Sequence, residues 1–154
     1  MDTAGSVSID RLRKRGGFTL VELTIAMVII CLMVVLAVPT FRRAIEQARA
    51  DVAAANLKTI WSAQRVYWLD NRRFASQLSD LRSQDLIDGP IADSVGDPKA
   101  VYVYRISSAD SSVFVAGALR NASGVWSGQV QIDQEGKLTG TIISRQGDVV
   151  IPAP

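Results

Sequence analysis

The residues with the most specific chemistry are a Gly17-Phe18 pair and a carboxylate, Glu22, four positions further on. Glu22 stands near the start of an apolar run, and no charged residue follows it from Leu23 to Phe41. An ionised carboxylate in lipid costs several kcal/mol and is retained where it has a partner or a function. The pattern therefore predicts that Glu22 has a specific role within an apolar segment.

The apolar run itself is long enough to cross a membrane. Residues 18–41 would form a helix of about 36 Å at 1.5 Å per residue, against a hydrocarbon core of about 30 Å. A basic cluster precedes it, formed by Arg11, Arg13, Lys14 and Arg15. Since basic flanks stay on the cytoplasmic side, we expect everything after Phe41 to lie outside the membrane.

Residues 15–22 (RGGFTLVE) resemble the processing and methylation signal of the type IV pilin and type II secretion pseudopilin superfamily. The resemblance implies cleavage by a dedicated peptidase after Gly17 and N-methylation of Phe18. Counted from Phe18, Glu22 takes the fifth position and Pro39 the twenty-second, where family subunits carry a glutamate and commonly a proline. The resemblance thus marks Gly17 and Phe18 as processing residues.

The same resemblance suggests how subunits would assemble through Phe18, Glu22 and Pro39. Glu22 of one subunit would pair with the Phe18 amine of a neighbour, and desolvation would offset much of the attraction, so the pair fixes axial register. Alternatively, Glu22 lies at the headgroup level of the membrane. Pro39 lacks an N–H and is expected to kink or loosen the helix there, with a gentle kink as the simpler alternative.

Three alternative kinds of N-terminal segment fit these residues less well. A secretory signal peptide would have a shorter apolar region ending in a small-residue site. A plain signal anchor accounts for the length and basic flank but not for Gly17-Phe18 followed by Glu22. In a lipoprotein signal, small residues rather than Ile29 and Ile30 would precede Cys31.

Composition excludes several kinds of active site. The 154 residues include no histidine, which rules out His-based triads and His metal sites. The lone cysteine, Cys31, cannot form an intrachain disulfide; pilins with a C-terminal disulfide loop have two cysteines there, and their absence favours a pseudopilin. No Gly-rich phosphate loop or convergent acid–base pair is apparent, and the net charge of +2 gives no strong nucleic-acid footprint. We therefore predict a protein that is not an enzyme.

Beyond the membrane segment the helical pattern continues to about Leu69. One apolar stripe contains Ile45, Ala48, Val52, Ala55, Ala63 and Val66, and a second contains Leu57, Ile60, Trp61 and Trp68. Glu46 and Arg49 are one turn apart and are expected to pair. Two stripes predict burial against both the head and a neighbouring subunit, although Trp61, Tyr67 and Trp68 are more simply core residues.

The rest of the chain predicts a small antiparallel sheet. Residues 67–74 resemble the family's helix end, with Asn71 as the stop; residues 76–81 read as a short helix, and residues to about Lys99 are turn-rich. Five β-rich runs with short separations favour a meander: 101–106, 113–119, 125–132, 138–143 and 149–151. The expected fold class is α+β: a long N-terminal helix, half membrane-embedded and half amphipathic, packed on this sheet, as in pilin-like proteins.

Ligand sites in the head are weakly indicated. Some major pseudopilins bind calcium in a C-terminal loop, and Asp133, Glu135 and Asp148 are candidates by location. Residues 133–137 are more simply a hairpin turn, so no cofactor and no metal ligand is predicted. Arginines and aromatics alternate at 65–74, which would suit a DNA-binding pilin, but a solvated helix end is the simpler interpretation.

The predicted organisation has three parts: a cytoplasmic leader (1–17), a transmembrane and polymerisation helix (18–41) and a periplasmic or extracellular head (42–154). The expected partners are copies of itself and homologous subunits, the prepilin peptidase and methylase, an inner-membrane assembly platform and membrane lipid, without nucleic acid. The expected location is the bacterial inner membrane, then a periplasmic pseudopilus or a surface filament. The predicted function is a structural subunit of a pilus or type II secretion pseudopilus. The alternatives are a type IV pilin or a membrane-anchored, non-polymerising binding module.

Overall fold

A computed structural model describes residues 17–121 and 124–153, apart from the side chains of Leu36 and Pro39. The predicted leader lies outside these residues except for Gly17. The chain divides into two compact units, one ending at Val38 and one spanning Pro39–Pro154. Its helices and strands are α1 (Leu20–Asn71), α2 (Leu78–Ser83), α3 (Gly89–Ala92), β1 (Tyr102–Ala109), β2 (Phe114–Arg120), β3 (Trp126–Asp133), β4 (Leu138–Ser144) and β5 (Val149–Val150).

The five strands form one antiparallel sheet in the order β1-β2-β3-β4-β5, which is the meander expected from the short connections. The α+β prediction of a long helix and a small antiparallel sheet is confirmed. β1 extends to Ala109, beyond its predicted end, because a register shift between Ile106 and Ser108 lets pairing with β2 continue.

Two glycines let β3 and β4 approach closely. Gly128 and Gly140 have φ values of 135° and 109°, a region that favours glycine. A Cβ on Gly128 would stand 2.3 Å from the carbonyl oxygen of Thr141, and one on Gly140 would stand 2.2 Å from that of Gln129. Glycine is therefore required at both positions for this pairing.

The buried stripe of α1 contains Leu57 and Ile60 of the second predicted stripe, together with residues that neither stripe included. From Pro39 onward the buried positions follow a three- and four-residue rhythm: Glu46, Ala50, Ala53, Ala54, Leu57, Ile60, Ala63, Gln64 and Tyr67. Of the first predicted stripe only Ala63 is buried, whereas Ile45, Ala48, Val52, Ala55 and Val66 are exposed, so their burial against a neighbouring subunit stays a prediction. The buried stripe also contains two polar residues, Glu46 and Gln64, whose partners Arg120 and Ala75 lie 74 and 11 residues away in the sequence.

α1 ends at Asn71, the predicted stop, but the left-handed residue is the next one along the chain. Asn71 is the last helical residue, and Arg72 takes the left-handed conformation with φ 56°. The Asn71 side chain donates to the carbonyl of Tyr67 at 3.0 Å, which ties it to the last turn. Asn71 thus stabilises the helix end through its side chain rather than through its backbone.

The connection between α1 and β1 is more helical than expected. α2 corresponds to the short helix predicted over residues 76–81, and it buries Leu78 and Leu81. The supposedly turn-rich stretch contains α3 and a 3-10 turn, Asp93–Val95, because Pro90 suits the first turn of a helix and Ile91 packs into the core. These elements cover one side of the sheet beside α1.

Candidate processing and assembly site

The bond between Gly17 and Phe18 is accessible. Both residues are exposed and precede the helix, and the Phe18 side chain is 83% exposed. Apart from Gly17 itself and its chain neighbours, no described atom lies within 4 Å of the place where a Cβ on Gly17 would stand. An enzyme could therefore approach this peptide bond without unfolding the helix, although cleavage and methylation there stay predictions.

Glu22 lies in the first turn of α1, and Thr19 caps that turn. The Thr19 hydroxyl accepts the Glu22 N–H at 3.2 Å, and the Thr19 carbonyl accepts the Leu23 N–H at 3.1 Å. Thr-x-x-Glu is the spacing of a capping box, and a carboxylate near a helix N-terminus is stabilised by the helix dipole. The cap sets the helical backbone at Glu22, one turn from Phe18, before any partner binds.

The part of α1 that directly follows Glu22 in the sequence is apolar and exposed. The most apolar 18-residue window of α1 has a mean hydropathy of 2.9, and none of it is buried in the protein. By length and composition, this helix could cross a membrane. The exposed large side chains include Leu20, Val21, Leu23, Ile25, Met27, Val28, Ile29, Ile30, Leu32, Met33, Val34 and Val35.

Pro39, the third predicted assembly residue, lies within the bounds of α1 and is the first residue of the second unit. The helical assignment continues through it. The kink expected at this position stays a prediction.

A buried ion pair, absent from the predictions as such, joins α1 to the end of β2. Arg120 donates from Nε to Glu46 Oε1 at 2.6 Å and from Nη2 to Glu46 Oε2 at 3.2 Å. The two side chains are only 6% and 1% exposed. Arg120 Nη1 also donates to the carbonyls of Val101 and Asn121, both at 3.0 Å. Glu46 does contact Arg49, as predicted, at 3.4 Å, but Arg120 is the closer and more buried partner.

Tyr102 completes this buried cluster. Its hydroxyl donates to Glu46 Oε1 at 3.4 Å, and the Arg120 guanidinium lies 5.6 Å from the ring centroid. Burial, and then the negative charge of Glu46, raise the pKa of Tyr102 well above its ordinary value. Tyr102 is therefore a neutral hydrogen-bond donor in the folded head.

Two further side chains of α1 hold neighbouring loops through the backbone. Gln64 is fully buried; its amide donates to the Ala75 carbonyl at 2.9 Å and accepts the Ala75 N–H at 2.8 Å. Trp61 Nε1 donates to the Gln134 carbonyl at 3.0 Å, and Gly136 lies under its indole ring. Of the three aromatics expected in the core, Tyr67 is buried and Trp61 packs beside the core, whereas Trp68 is half-buried and donates from Nε1 to the Ser111 carbonyl at 2.8 Å.

The three calcium candidates occupy two different turns. Asp133 Oδ1 accepts the N–H groups of Glu135 and Lys137 at 3.0 and 2.9 Å, which is how a hairpin turn uses such a side chain. Asp148 lies in the turn after β4 and contacts the Ser144 hydroxyl at 3.2 Å. Across residues 17–121 and 124–153, no three His, Cys, Asp or Glu side chains gather in a way that could hold a metal ion.

The arginines of the predicted helix end stack on tryptophans. Arg65 lies 4.8 Å from the Trp61 ring centroid and Arg72 lies 5.3 Å from that of Trp68. Such pairs cover the indole faces with charged groups and leave the guanidinium edges in water. This arrangement suits the solvated helix end.

The exposed Gly17-Phe18 bond, the capped helix with its acid and the small antiparallel head are the features expected of a pilin-like protein. Comparison with known proteins agrees: the prokaryotic N-terminal methylation motif matches residues 12–38. The chain is also similar to the type II secretion system core protein G of Pseudomonas aeruginosa, with 34% identity over 71 residues. That match covers 46% of this chain and 50% of the relative, so the chain spans about half the length of the curated relative it matches.

These matches support the pilin and pseudopilin superfamily, so the resemblance drawn from residues 15–22 is confirmed. They bear on the coarse class of the protein: a pilin-like subunit with a methylation motif and an apolar N-terminal helix. Gly17, Phe18, Glu22 and Pro39 keep their individual roles as predictions.

Proposed function

We propose that this protein is a structural, non-enzymatic subunit of a type II secretion pseudopilus. It is cleaved after Gly17, N-methylated at Phe18 and polymerised through α1. The observation that carries the proposal is the exposed Gly17-Phe18 bond, followed within one helical turn by Glu22 and then by an exposed apolar helix. The similarity to a type II secretion core protein supports the choice of machine.

Glu22 supplies the register of assembly in this proposal. Cleavage creates an amine on Phe18, and the carboxylate of an incoming subunit pairs with the amine of a subunit already in place. Inside a bundle of apolar helices an unpaired carboxylate is costly, so subunits stop sliding at the position where the pair forms. Before assembly the chain stands in the bacterial inner membrane with its head in the periplasm, and it meets the peptidase and an assembly platform there.

The first test is the intact mass and N-terminal residue of the membrane-extracted protein, in cells with and without a prepilin peptidase. The proposal requires a chain that begins at methylated Phe18 only when the peptidase is present. An uncut chain with a stable head in both strains would refute processing and favour an anchored, non-polymerising module.

The second test separates processing from assembly. Glu22→Ala should leave the precursor stable and cut but should abolish its incorporation into filaments, scored by shearing and electron microscopy. Glu135→Ala is the matched control, because it removes a carboxylate from an exposed turn of the head. Normal filaments from the Glu22→Ala chain would refute the register role.

The place where filaments form distinguishes pseudopilus from pilus. At native expression a pseudopilus stays within the periplasm, whereas filaments extending from the cell surface would favour a type IV pilin.

A further inference from the structure

An apolar groove runs along one flank of α1 in the head. One wall is the exposed flank formed by Ile45, Ala48 and Val52, and the other is the segment that leads into β1, with Pro90 and Val101. The groove has a volume of about 540 Å³. Two charged residues of opposite sign, Arg49 and Asp97, also line it.

An exposed apolar patch lies at the β4–β5 edge of the sheet, on the face that points to solvent. It consists of Ile143, Val149 and Ile151, which are 45%, 41% and 65% exposed. Ile143 and Val149 are direct partners across β4 and β5, and Ile151 follows Val149 on the same face. Exposed residues of both signs, Arg145 and Asp148, stand in the turn beside this apolar patch.

The groove and the apolar patch belong to opposite sides of the head. The groove adjoins β1 and the apolar patch adjoins β5, the two edge strands of the sheet. Positions on α1 agree with this placement. Successive helix residues are about 100° apart around the axis, so Gln47 and Asp51 lie on a different flank from Ile45, Ala48 and Val52. Gln47 and Asp51 hold the chain just after β5 at 2.8 and 3.0 Å, while the groove wall lies on the other flank.

We propose that the groove of one copy of this chain receives the apolar patch of the next copy. The occupant is a second copy because the groove and the apolar patch each combine an apolar surface with one acid and one base, so that Arg49 can face Asp148 and Asp97 can face Arg145. A contact between two different surfaces of one molecule is heterologous, and unless the rotation closes it continues into a filament. The inference rests on the proposed function: it names the head-to-head contact of the same polymer.

Cysteine pairs test the contact in the full-length chain, expressed in bacterial membranes in a Cys31→Ser background. Val52→Cys marks the groove and Ile151→Cys marks the apolar patch. With both cysteines in one chain, a mild oxidant should produce a ladder of dimers, trimers and longer species, since every copy offers one cysteine to each neighbour. The control pairs Val52→Cys with Val113→Cys; Val113 is 41% exposed, as Val149 of the apolar patch is, but lies in the β1–β2 connection. This control should give no ladder.

Charge exchange in the same two-cysteine chain provides a second test. In the two-cysteine chain, Asp97→Arg or Arg145→Asp alone should reduce the ladder at least severalfold. The two changes together should restore it, because the pair is rebuilt with its signs exchanged. Equal ladders in all four chains would overturn the assigned charge pairing.

The outcomes also separate this contact from the proposed function. Filaments that form without a Val52–Ile151 ladder overturn the groove contact and leave the proposed function standing. Dimers from Val52→Cys alone overturn it too, because groove would then face groove. A crosslink between Val52→Cys and Cys31, in a chain that keeps its native cysteine, overturns it as well, because the apolar helix of a neighbour would then fill the groove. Absence of both filaments and ladder overturns both proposals.

Discussion

The buried pair of Glu46 and Arg120 makes a sharp prediction about the stability of the head. Arg120→Met keeps a long side chain in place but removes its charge, which leaves the Glu46 carboxylate buried with Tyr102 and Arg49 as its remaining neighbours. Breaking a buried pair by removing one partner costs about 3–5 kcal/mol, because a buried charge is left uncompensated. We therefore expect the free energy of unfolding to fall by about 3–5 kcal/mol.

Three features of the structure place the loss in this range. Glu46 is 1% exposed, so water cannot replace the guanidinium. The pair is held by two hydrogen bonds of 2.6 and 3.2 Å. The carbonyls of Val101 and Asn121 also lose the Arg120 donor. At about 4 °C per kcal/mol for a domain of this size, the midpoint of thermal unfolding should fall by roughly 12–20 °C.

The assay is urea unfolding of the full-length chain in detergent micelles, followed by tryptophan fluorescence. All three tryptophans, Trp61, Trp68 and Trp126, belong to the Pro39–Pro154 unit and report on the head. Arg105→Met is the matched control, because Arg105 is an exposed arginine of β1, and it should change stability by less than about 0.5 kcal/mol.

A double variant, Glu46→Leu with Arg120→Met, separates charge from packing. Replacing both members of a buried pair by apolar residues is often neutral, so the double variant should recover most of the loss. If Arg120→Met alone costs less than about 1 kcal/mol, as an exposed ion pair would, then water reaches the pair and the reasoning is wrong.

Three other changes should have measurable effects on the same unfolding assay. Gly128→Ala should destabilise the head by about 1–3 kcal/mol, since its Cβ would collide with a backbone carbonyl at a strained φ, whereas Gly117→Ala should be tolerated because its Cβ would meet only ordinary contacts; equal effects would contradict this. The pKa of Tyr102 is raised above its ordinary value of 10.0, so the stabilisation from its protonated hydroxyl is complete below pH 10 and is lost as the pH rises beyond that value. Tyr102→Phe should therefore flatten the alkaline fall in the free energy of unfolding; an unchanged slope would show that another group causes that fall. Gln64→Leu should cost about 1–3 kcal/mol because both backbone groups of Ala75 lose a buried partner, and a smaller loss would show that water reaches them.

The sheet could be predicted from the sequence because its information is local. Each strand is a short β-rich run, and turn-forming residues such as Gly136, whose φ is 82°, mark the connections between strands. Short connections allow only neighbouring antiparallel strands, so strand order followed directly. The observed strand bounds differ from the predicted ones by at most three residues. The largest difference is in β1, which the register shift after Ile106 allows to continue.

The processing and assembly residues could be found for a different reason. Gly17, Phe18 and Glu22 form a motif of fixed spacing, and the structure adds to it the cap on Glu22 from Thr19. That cap was readable in the sequence as Thr-x-x-Glu at the start of an apolar run.

The polar contacts of the head could not be found in this way. Arg120 is 74 residues from Glu46, and nothing near either residue predicts the other. The apolar pattern also left Glu46 and Gln64 out of the buried stripe of α1, because a buried glutamate and a buried glutamine look like surface residues. A three- and four-residue spacing that joins Glu46 and Gln64 through Leu57 and Ile60 is the signal that could have corrected it.

The contacts that Gln47 and Asp51 make with the chain after β5 also set an order of events during synthesis. Their partners, Ile151 and Ala153, lie 104 and 102 residues further along the chain. The helix therefore leaves the ribosome long before those two side chains can find their acceptor and donor, and the hairpins of the meander can form in between, since each needs only its neighbour. In pulsed hydrogen exchange, the chain after β5 should be the last segment to become protected. A bulky fusion placed directly after residue 153 should disturb the contacts with the helix rather than the sheet.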